Sequence, residues 1–302
     1  VTEALHAPGV ALGSAALIAL RRVALAAQAS PVLAALPGGY ATRRKGHGLE
    51  VADMREYVAG DDSRHLDRNT TARTGRLHVR QFQEERDRVT LLVADMRPSM
   101  FWGLRRAFRS VAAAEALTLI GWHVVETGGR VGLLAITPGA AVVVPPRGRT
   151  RGMLDVIGEL VQAHEAALAS VTAGQGAKEA PLDQALVRAD RLVPSGSEVV
   201  VASGFDTPGS GLADQLDALA RRRTPRLIQI TEGDARRMPV GRYPIRTPDG
   251  RRIRIWLRGE EAVQDTSEMM IGGRPVVVLN ASDDVEETAL RLAAAFSSER
   301  RR

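Results

Sequence analysis

The sequence predicts an α/β protein with a mainly parallel sheet covered by helices on both faces. Three observations lead there: apolar runs of strand length, stretches of helical periodicity between them, and regular alternation of the two from about Val89 onward. With 302 residues and 44% apolar composition, the chain is long enough to bury a substantial core.

The first segment, PGVALGSAALIALRRVALAAQASPVLAALPGGY, is apolar, but Arg21 and Arg22 divide it into runs shorter than the ~20 residues a bilayer core requires. It lacks a basic start followed by a cleavage site, so no secretory signal is expected. It reads as an amphipathic helix packed on the protein, with association at a membrane surface as the lesser alternative. Gly48 to Arg88 follows, a dense interleaving of Arg and Asp with too little helical periodicity for a plain solvated helix.

Val89 to Asp95 is a continuous apolar run, as expected of a strand buried on both faces. Phe108 to Val125 has helical spacing. RVGLLAI and AVVVPP, joined by a Pro-Gly turn, read as an antiparallel hairpin. Thr150 to Ala169 and Leu182 to Val193 read as helices, with the loop TAGQGAKEA between them. Then come the strand SEVVVASG, the helix GLADQLDALARRR and the strand PRLIQIT. GRYPIRTPDGRRIRIWLRG alternates about a PDG turn, the mark of a half-exposed β-hairpin. RPVVVLN is the last core strand, and Asp284 to Glu299 the closing helix. The late hairpin and the strands LEVADMREY and RLHVRQF lie outside the core rhythm and are expected to pair into a small accessory sheet.

The net charge is +6 with a pI near 10.5. Nearly all of the basic residues are Arg, the lysines being Lys45 and Lys178, and the excess reads as spread along the chain apart from Arg300 to Arg302. Diffuse charge raises a pI without making a binding stripe. Cys is absent, which excludes disulfides, thiolate metal sites and Cys nucleophiles and agrees with a cytoplasmic setting.

Common catalytic signatures are missing. No strand ends in Gly-x-Ser-x-Gly, neither lysine sits in a phosphate-binding Gly-rich loop, and no Gly-x-Gly-x-x-Gly follows the first core strand. His6, His47, His65, His78, His123 and His164 show no paired ligand spacing, and each reads as a surface or capping residue. Open parallel sheets bind ligands at the carboxyl ends of their strands, which directs attention to DMRPSM (Asp95 to Met100) and SGFDTPG (Ser203 to Gly209).

The run MREYVAGDDSRHLDRNTTARTGRLHVRQFQEERD, followed by a strand and DMRPSM, resembles the signature of the bacterial DUF58 family, whose members carry a von Willebrand factor A-like domain. Arg55, Glu56, Tyr57, Gly60, Asp61, Asp62, Arg64, Asp67, Ala72, Arg73, Thr74, Gly75 and Leu77 all match the family pattern, while Arg68 stands where the family has Trp. The resemblance runs from about Gly46 onward. It implies a Rossmann-like von Willebrand A-type sheet, to which the patterning adds a small accessory sheet and an N-terminal helix. Together they divide the chain into an N-terminal helical segment (1–45), the signature segment with accessory strands (46–88), the von Willebrand A-like core (89–232), the accessory hairpin (233–268), and the last strand with the closing helix (269–302).

In von Willebrand A-type domains Mg²⁺ or Mn²⁺ sits on a D-x-S-x-S loop, a Thr from a second loop and an Asp after a later strand, a hard oxygen shell. Here Arg97 replaces the first Ser, Ala180 and Pro181 stand where the Thr is expected, and Gly204 replaces the later Asp. A guanidinium beside Asp95 can pair with the carboxylate in place of a cation, so the resemblance implies a degenerate metal site and no cofactor. The minority reading keeps a hydrated Mg²⁺ on Asp95, Ser99 and Asp206.

The expected function is a non-enzymatic interaction module, an adaptor or co-chaperone of a MoxR-type AAA+ ATPase acting on a client protein. Asp95, Arg97, Ser99, Ser203 and Asp206 are the candidate partner-binding residues, and no small-molecule substrate or transmembrane segment is expected. Arg55, Tyr57, Gly60, Asp61, Asp62, Arg64, Asp67 and Arg73 form a second set, read either as a structural ion-pair network or as a surface that faces a partner. A nucleic-acid reading rests on Arg221 to Arg223 with Arg226, Arg236 with Arg237, and Arg251 with Arg252. It is disfavoured because aromatic residues make up only 4% of the chain and no reading module is visible.

Overall fold

The structure is a computed structural model that describes residues 3–29, 45–58, 66–83, 88–174, 179–232, 240–246, 251–257 and 269–298. The chain divides into two compact units, residues 34–87 and the remainder. Helix α1 (Ser14–Gln28) belongs to the larger unit.

The smaller unit contains β1 (Lys45–Glu56), α2 (Arg68–Thr74) and β2 (His78–Gln83), with β1 and β2 antiparallel. The helix was not legible in the charged segment because it is seven residues long and defined by its ends. Asp67, 2% exposed, caps its start by accepting from the Thr70 N–H at 2.7 Å, and Gly75 closes it at φ 71°, where a side chain would be strained. The Asp67 N–H also donates to the His78 carbonyl at 2.8 Å, tying the helix start to β2.

The larger unit continues with β3 (Val89–Asp95), α3 (Arg109–Glu126), β4 (Arg130–Ile136), β5 (Val142–Gly148) and α4 (Arg149–Thr172). Then come the short helices α5 (Leu182–Leu186) and α6 (Ala189–Leu192), β6 (Glu198–Ser203), α7 (Leu212–Ala220) and β7 (Thr224–Thr231). The hairpin β8 (Gly241–Arg246) and β9 (Arg252–Leu257) precedes β10 (Met270–Ile271), β11 (Arg274–Asn280) and α8 (Val285–Ser298).

Seven strands form the central sheet in the order β10-β11-β7-β6-β3-β4-β5, parallel except for the edge strands β5 and β10. Read without β10, this is the doubly wound order that reverses between β3 and β6, as the von Willebrand A-type resemblance implied. The accessory strands form two separate two-stranded sheets, β1–β2 and β8–β9, instead of the single sheet expected.

Both faces of β3 are covered, which is why its sequence is apolar without alternation. Leu92 and Ala94 join the layer built by α1, α3, α4 and α8, while Val89, Leu91 and Val93 join that of α5, α6 and α7. Each fully buried Leu contributes about 1.5–3 kcal/mol. Helix α1 packs against α3 and α8 through Leu17 and Leu20, and Trp122 of α3 donates its indole N–H to the Leu17 carbonyl at 3.1 Å. One face of the apolar N-terminal segment, formed by Leu17, Leu20, Ala24 and Ala27, is therefore core material, while Ile18 and Leu25 are exposed. Among the described residues, no helix is long and apolar enough to cross a membrane.

Candidate functional site

The switch point between β3 and β6 places two strand ends side by side: Asp95 closes β3 and Ser203 closes β6. Asp95 is fully buried, and every acceptor position on its carboxylate is taken. Oδ1 accepts from the Arg97 backbone N–H at 3.0 Å and from Arg97 Nε at 2.9 Å. Oδ2 accepts from Arg97 Nη2 at 2.7 Å and from the Ser203 hydroxyl at 2.6 Å.

The guanidinium of Arg97, 2% exposed, reaches beyond Asp95. Its Nη1 donates to the Ala180 carbonyl at 2.8 Å and the Thr207 carbonyl at 3.0 Å, and lies 3.2 Å from Glu179 Oε1. Glu179 in turn accepts from the Ser99 backbone N–H at 2.8 Å and the Ser99 hydroxyl at 2.9 Å. Burial works against the Arg97 charge, but Asp95, Glu179 and Asp206 more than offset it and hold the guanidinium above its ordinary pKa. One side chain thus joins the loop after β3, the loop before α5 and the loop after β6.

A second arginine fills the space beside it. Arg109, at the start of α3, donates to the Ile230 carbonyl at 3.0 Å and pairs with Asp206 at 2.9 Å. Gly204 lies against this guanidinium so closely that a Cβ would come 1.6 Å from Arg109 Nη2. The room that an Asp side chain would need at this position is occupied by Arg109. The next residue, Phe205, has φ 56°, a strained conformation for a bulky side chain, and its N–H donates to the Ser203 hydroxyl at 3.0 Å.

The candidate residues do not form one ligand set. Asp95 is bound by Arg97 and Ser203, Ser99 by Glu179, and Asp206 by Arg109. Among the described residues, no group of three or more His, Asp or Glu side chains is placed to hold an ion. A divalent cation at Asp95 would have to displace a bidentate guanidinium, so the residues present do not fit Mg²⁺.

Sequence reasoning missed Glu179, Arg109 and Trp102. Glu179 lies in a stretch read as a plain flexible loop, 80 residues from the Ser99 it binds. Arg109 carried a signal: a lone Arg at the head of an apolar helix must find a partner when buried. Trp102 is 40% exposed, with the Arg109 guanidinium 5.7 Å from its ring. Beside the Arg97–Glu179 pair a cleft of about 310 Å³ opens, lined by the β4–β5 turn, Gln184 and Arg188.

The second candidate set is only partly brought together. Gly60, Asp61, Asp62 and Arg64 lie outside the described residues, as does the side chain of Arg55. The Tyr57 N–H donates to the Leu77 carbonyl at 2.8 Å, Asp67 caps α2, and Arg73 is exposed with no hydrogen bond or ion pair to a described residue. Of these two, Asp67 is the one tied among the described residues to the strand that follows, through its backbone N–H. His164, expected as a surface or capping residue, is fully buried, its Nε2 3.0 Å from the Ser110 hydroxyl.

The proposed basic patches are also revised. Arg223 pairs with Asp190 and donates to the Val193 carbonyl, and Arg226 pairs with Glu198 at 3.2 Å, so these charges are locally neutralised. Arg236 and Arg237 lie outside the described residues, as does the side chain of Arg252. Nor is the positive excess diffuse. The eighteen residues from Gly241 to Arg258 hold six arginines and one aspartate, a net +5 against +6 for the whole chain.

Strand order and the three loops at the switch point define a von Willebrand A-like α/β protein in which an arginine occupies the centre of the loop cluster. The chain belongs to the DUF58 family, described as proteins of unknown function, whose profile matches residues 53–266. It is 38% identical over 105 residues to the uncharacterized protein Rv1480 of Mycobacterium tuberculosis, and equally to Mb1516 of Mycobacterium bovis. These matches cover 34% of this chain and 32% of each relative, so the chain spans about a third of the length of the curated relatives it matches. A solved structure, a von Willebrand factor type A protein from Catenulispora acidiphila, is similar over 50% of this chain and 34% of its own, with 18% identity and a TM-score of 0.32. The fold assignment rests on the strand order and not on that likeness.

Proposed function

We propose that this protein is a non-enzymatic interaction module, an adaptor or co-chaperone of a MoxR-type AAA+ ATPase, and that it binds its partner without a bridging metal. The ATPase and its client come from the family resemblance, and a cytoplasmic setting is proposed with them because such a partner is fuelled by ATP. The observation that carries the rest is Arg97, which ties three loops with hydrogen bonds that a divalent cation would otherwise replace by coordination. A face held by an internal cation is set in one arrangement before any partner arrives, which lowers the ordering cost of association.

The exposed parts of that face suit protein contact. Trp102 and the half-exposed Asp206 carboxylate both meet the Arg109 guanidinium, and a large exposed ring is the kind of residue that dominates binding energy when a partner covers it. The hydroxyls of Ser99 and Ser203 are committed to carboxylates, which suits a structural role better than a nucleophilic one.

The test is capture of the tagged chain from a nuclease-treated lysate of its source cells, with ATP and Mg²⁺ present or absent, followed by mass spectrometry. An AAA+ ATPase is expected in the eluate, reduced when Trp102→Ala and Asp206→Arg are introduced together. Recovery of no ATPase, or equal recovery by the double variant, contradicts the proposed contact face.

A further inference from the structure

Hairpin β8–β9 concentrates the chain's positive charge, and its register determines how that charge is displayed. Arg242 stands directly across from Trp256, and Tyr243 across from Ile255. Alternate residues of a strand share a face, so Arg254 lies beside Trp256 on the Arg242 side, while Tyr243, Ile253 and Ile255 take the other side. The Trp256 ring is thus flanked by two arginines, one across the ladder and one roughly 6.7 Å along the strand.

All three side chains are exposed, Trp256 to 56%. The Arg242 guanidinium lies 5.8 Å from the Trp256 ring centre, and the Arg254 side chain has no hydrogen bond or ion pair to any described residue. This contrasts with Arg106, Arg109, Arg147, Arg223 and Arg274, each of which faces a carboxylate. Pro244 also removes a backbone donor from β8, which disfavours extension of the ribbon by another strand.

We propose that this ribbon binds single-stranded nucleic acid, with a base stacked on Trp256 and the neighbouring phosphates on Arg242 and Arg254. An aromatic face between two cations that have no carboxylate partner among the described residues matches a strand whose bases and phosphates alternate, and stacking accepts any base. An acidic peptide gains little from the ring. An anionic membrane would favour apolar neighbours on the basic side, and here Ile253, Ile255 and Tyr243 lie on the opposite one. The inference is independent of the ATPase reading, since it concerns a different element.

The experiment is fluorescence anisotropy of a labelled thymidine oligonucleotide with the full chain purified free of nucleic acid, across a salt series. Two phosphate contacts predict a log–log salt slope of about −1.4, reduced by about 0.7 in Arg254→Ala. Trp256→Ala is expected to weaken binding about tenfold to a hundredfold, and Trp256→Phe to recover most of it. Because Trp256→Ala also removes the contact with Arg242, Arg254→Glu provides a second disruption that leaves the cross-strand pair in place. Urea midpoints matching the parent chain would show that the variants fold. Absence of saturable binding at low salt overturns the proposal, as does binding unchanged in Trp256→Ala and Arg254→Glu. Anionic phosphatidylglycerol vesicles are the competing probe, and binding to them with none to the oligonucleotide also overturns it.

Discussion

Arg97 grips Asp95 through two parallel hydrogen bonds, Nε to Oδ1 at 2.9 Å and Nη2 to Oδ2 at 2.7 Å, with both side chains sealed from solvent. A buried pair of this geometry stabilises little relative to an apolar replacement of both members, but removing one member strands the other charge. Arg97→Ala is therefore expected to cost about 3–5 kcal/mol in urea unfolding at neutral pH. Arg97→Lys should rescue little, because one ammonium cannot reproduce the fork or reach Ala180 and Thr207 together. A loss below about 1 kcal/mol for Arg97→Ala would show that Asp95 is relieved in some other way.

The same pair makes a gain-of-function prediction. Arg97→Ser vacates a space bordered by the oxygens of Asp95, Ser99 and Glu179, which suits a hard cation. Millimolar Mn²⁺ is expected to raise the melting temperature of this variant and leave that of the parent chain unchanged. An equal shift in both would mean that metal binds elsewhere, and no shift in the variant would mean that the remaining oxygens cannot converge.

Gly204 and Arg109 provide a test of mutual exclusion. Any Cβ at position 204 must displace the Arg109 guanidinium from Asp206 and from the Ile230 carbonyl. Gly204→Ala is expected to destabilise by about 2–4 kcal/mol, combining overpacking with a disturbed buried charge. In an Arg109→Ala background the same change should cost much less, a coupling that a double-mutant cycle in urea would reveal. Additive costs would place the strain in the strand ends instead of the guanidinium.

Legibility followed sequence distance. The strands β3 and β6 stand out because burial on both faces leaves continuous apolar runs, and the strand-end rule then led directly to Asp95, Arg97 and Ser203. Glu179 could not be found that way, since its partner Ser99 lies 80 residues off and its own loop has no periodicity. The Arg242–Trp256 pair depends on ladder register, which the PDG turn allowed to be guessed as a hairpin but not resolved face by face. Helix α2 escaped notice because seven residues carry too few turns to show a period.

Asp67 and Arg73 separate two readings of the signature segment. Asp67 caps α2 and is buried, whereas Arg73 is exposed on that helix. Asp67→Ala is expected to lower stability by about 0.5–2 kcal/mol. Arg73→Ala should stay within about 0.5 kcal/mol, as for an ordinary surface position. If Arg73→Ala leaves stability intact yet reduces capture of the proposed ATPase partner, the outward part of the signature belongs to the contact surface. A large stability loss on Arg73→Ala would instead restore the fully structural reading.

His164 gives the fold a defined acid sensitivity. It lies in the α3–α4 layer against Ser110 and the Phe101 ring, and burial lowers its pKa from 6.5 to about 4. In that window the unfolded chain binds a proton that the folded chain refuses, so stability rises with pH between those values. The contribution is complete above about pH 6.5 and is lost as pH falls through about 4, a total of about 3 kcal/mol. Carboxylates titrate in the same range, so the parent chain should be compared with His164→Leu, whose unfolding free energy lacks this component. The stability difference between the two proteins is expected to shrink, and then to favour the variant, as pH is lowered from about 7.5 to about 4.5. A difference that stays constant over that range would place the His164 pKa near its ordinary value and imply that water reaches the α3–α4 layer.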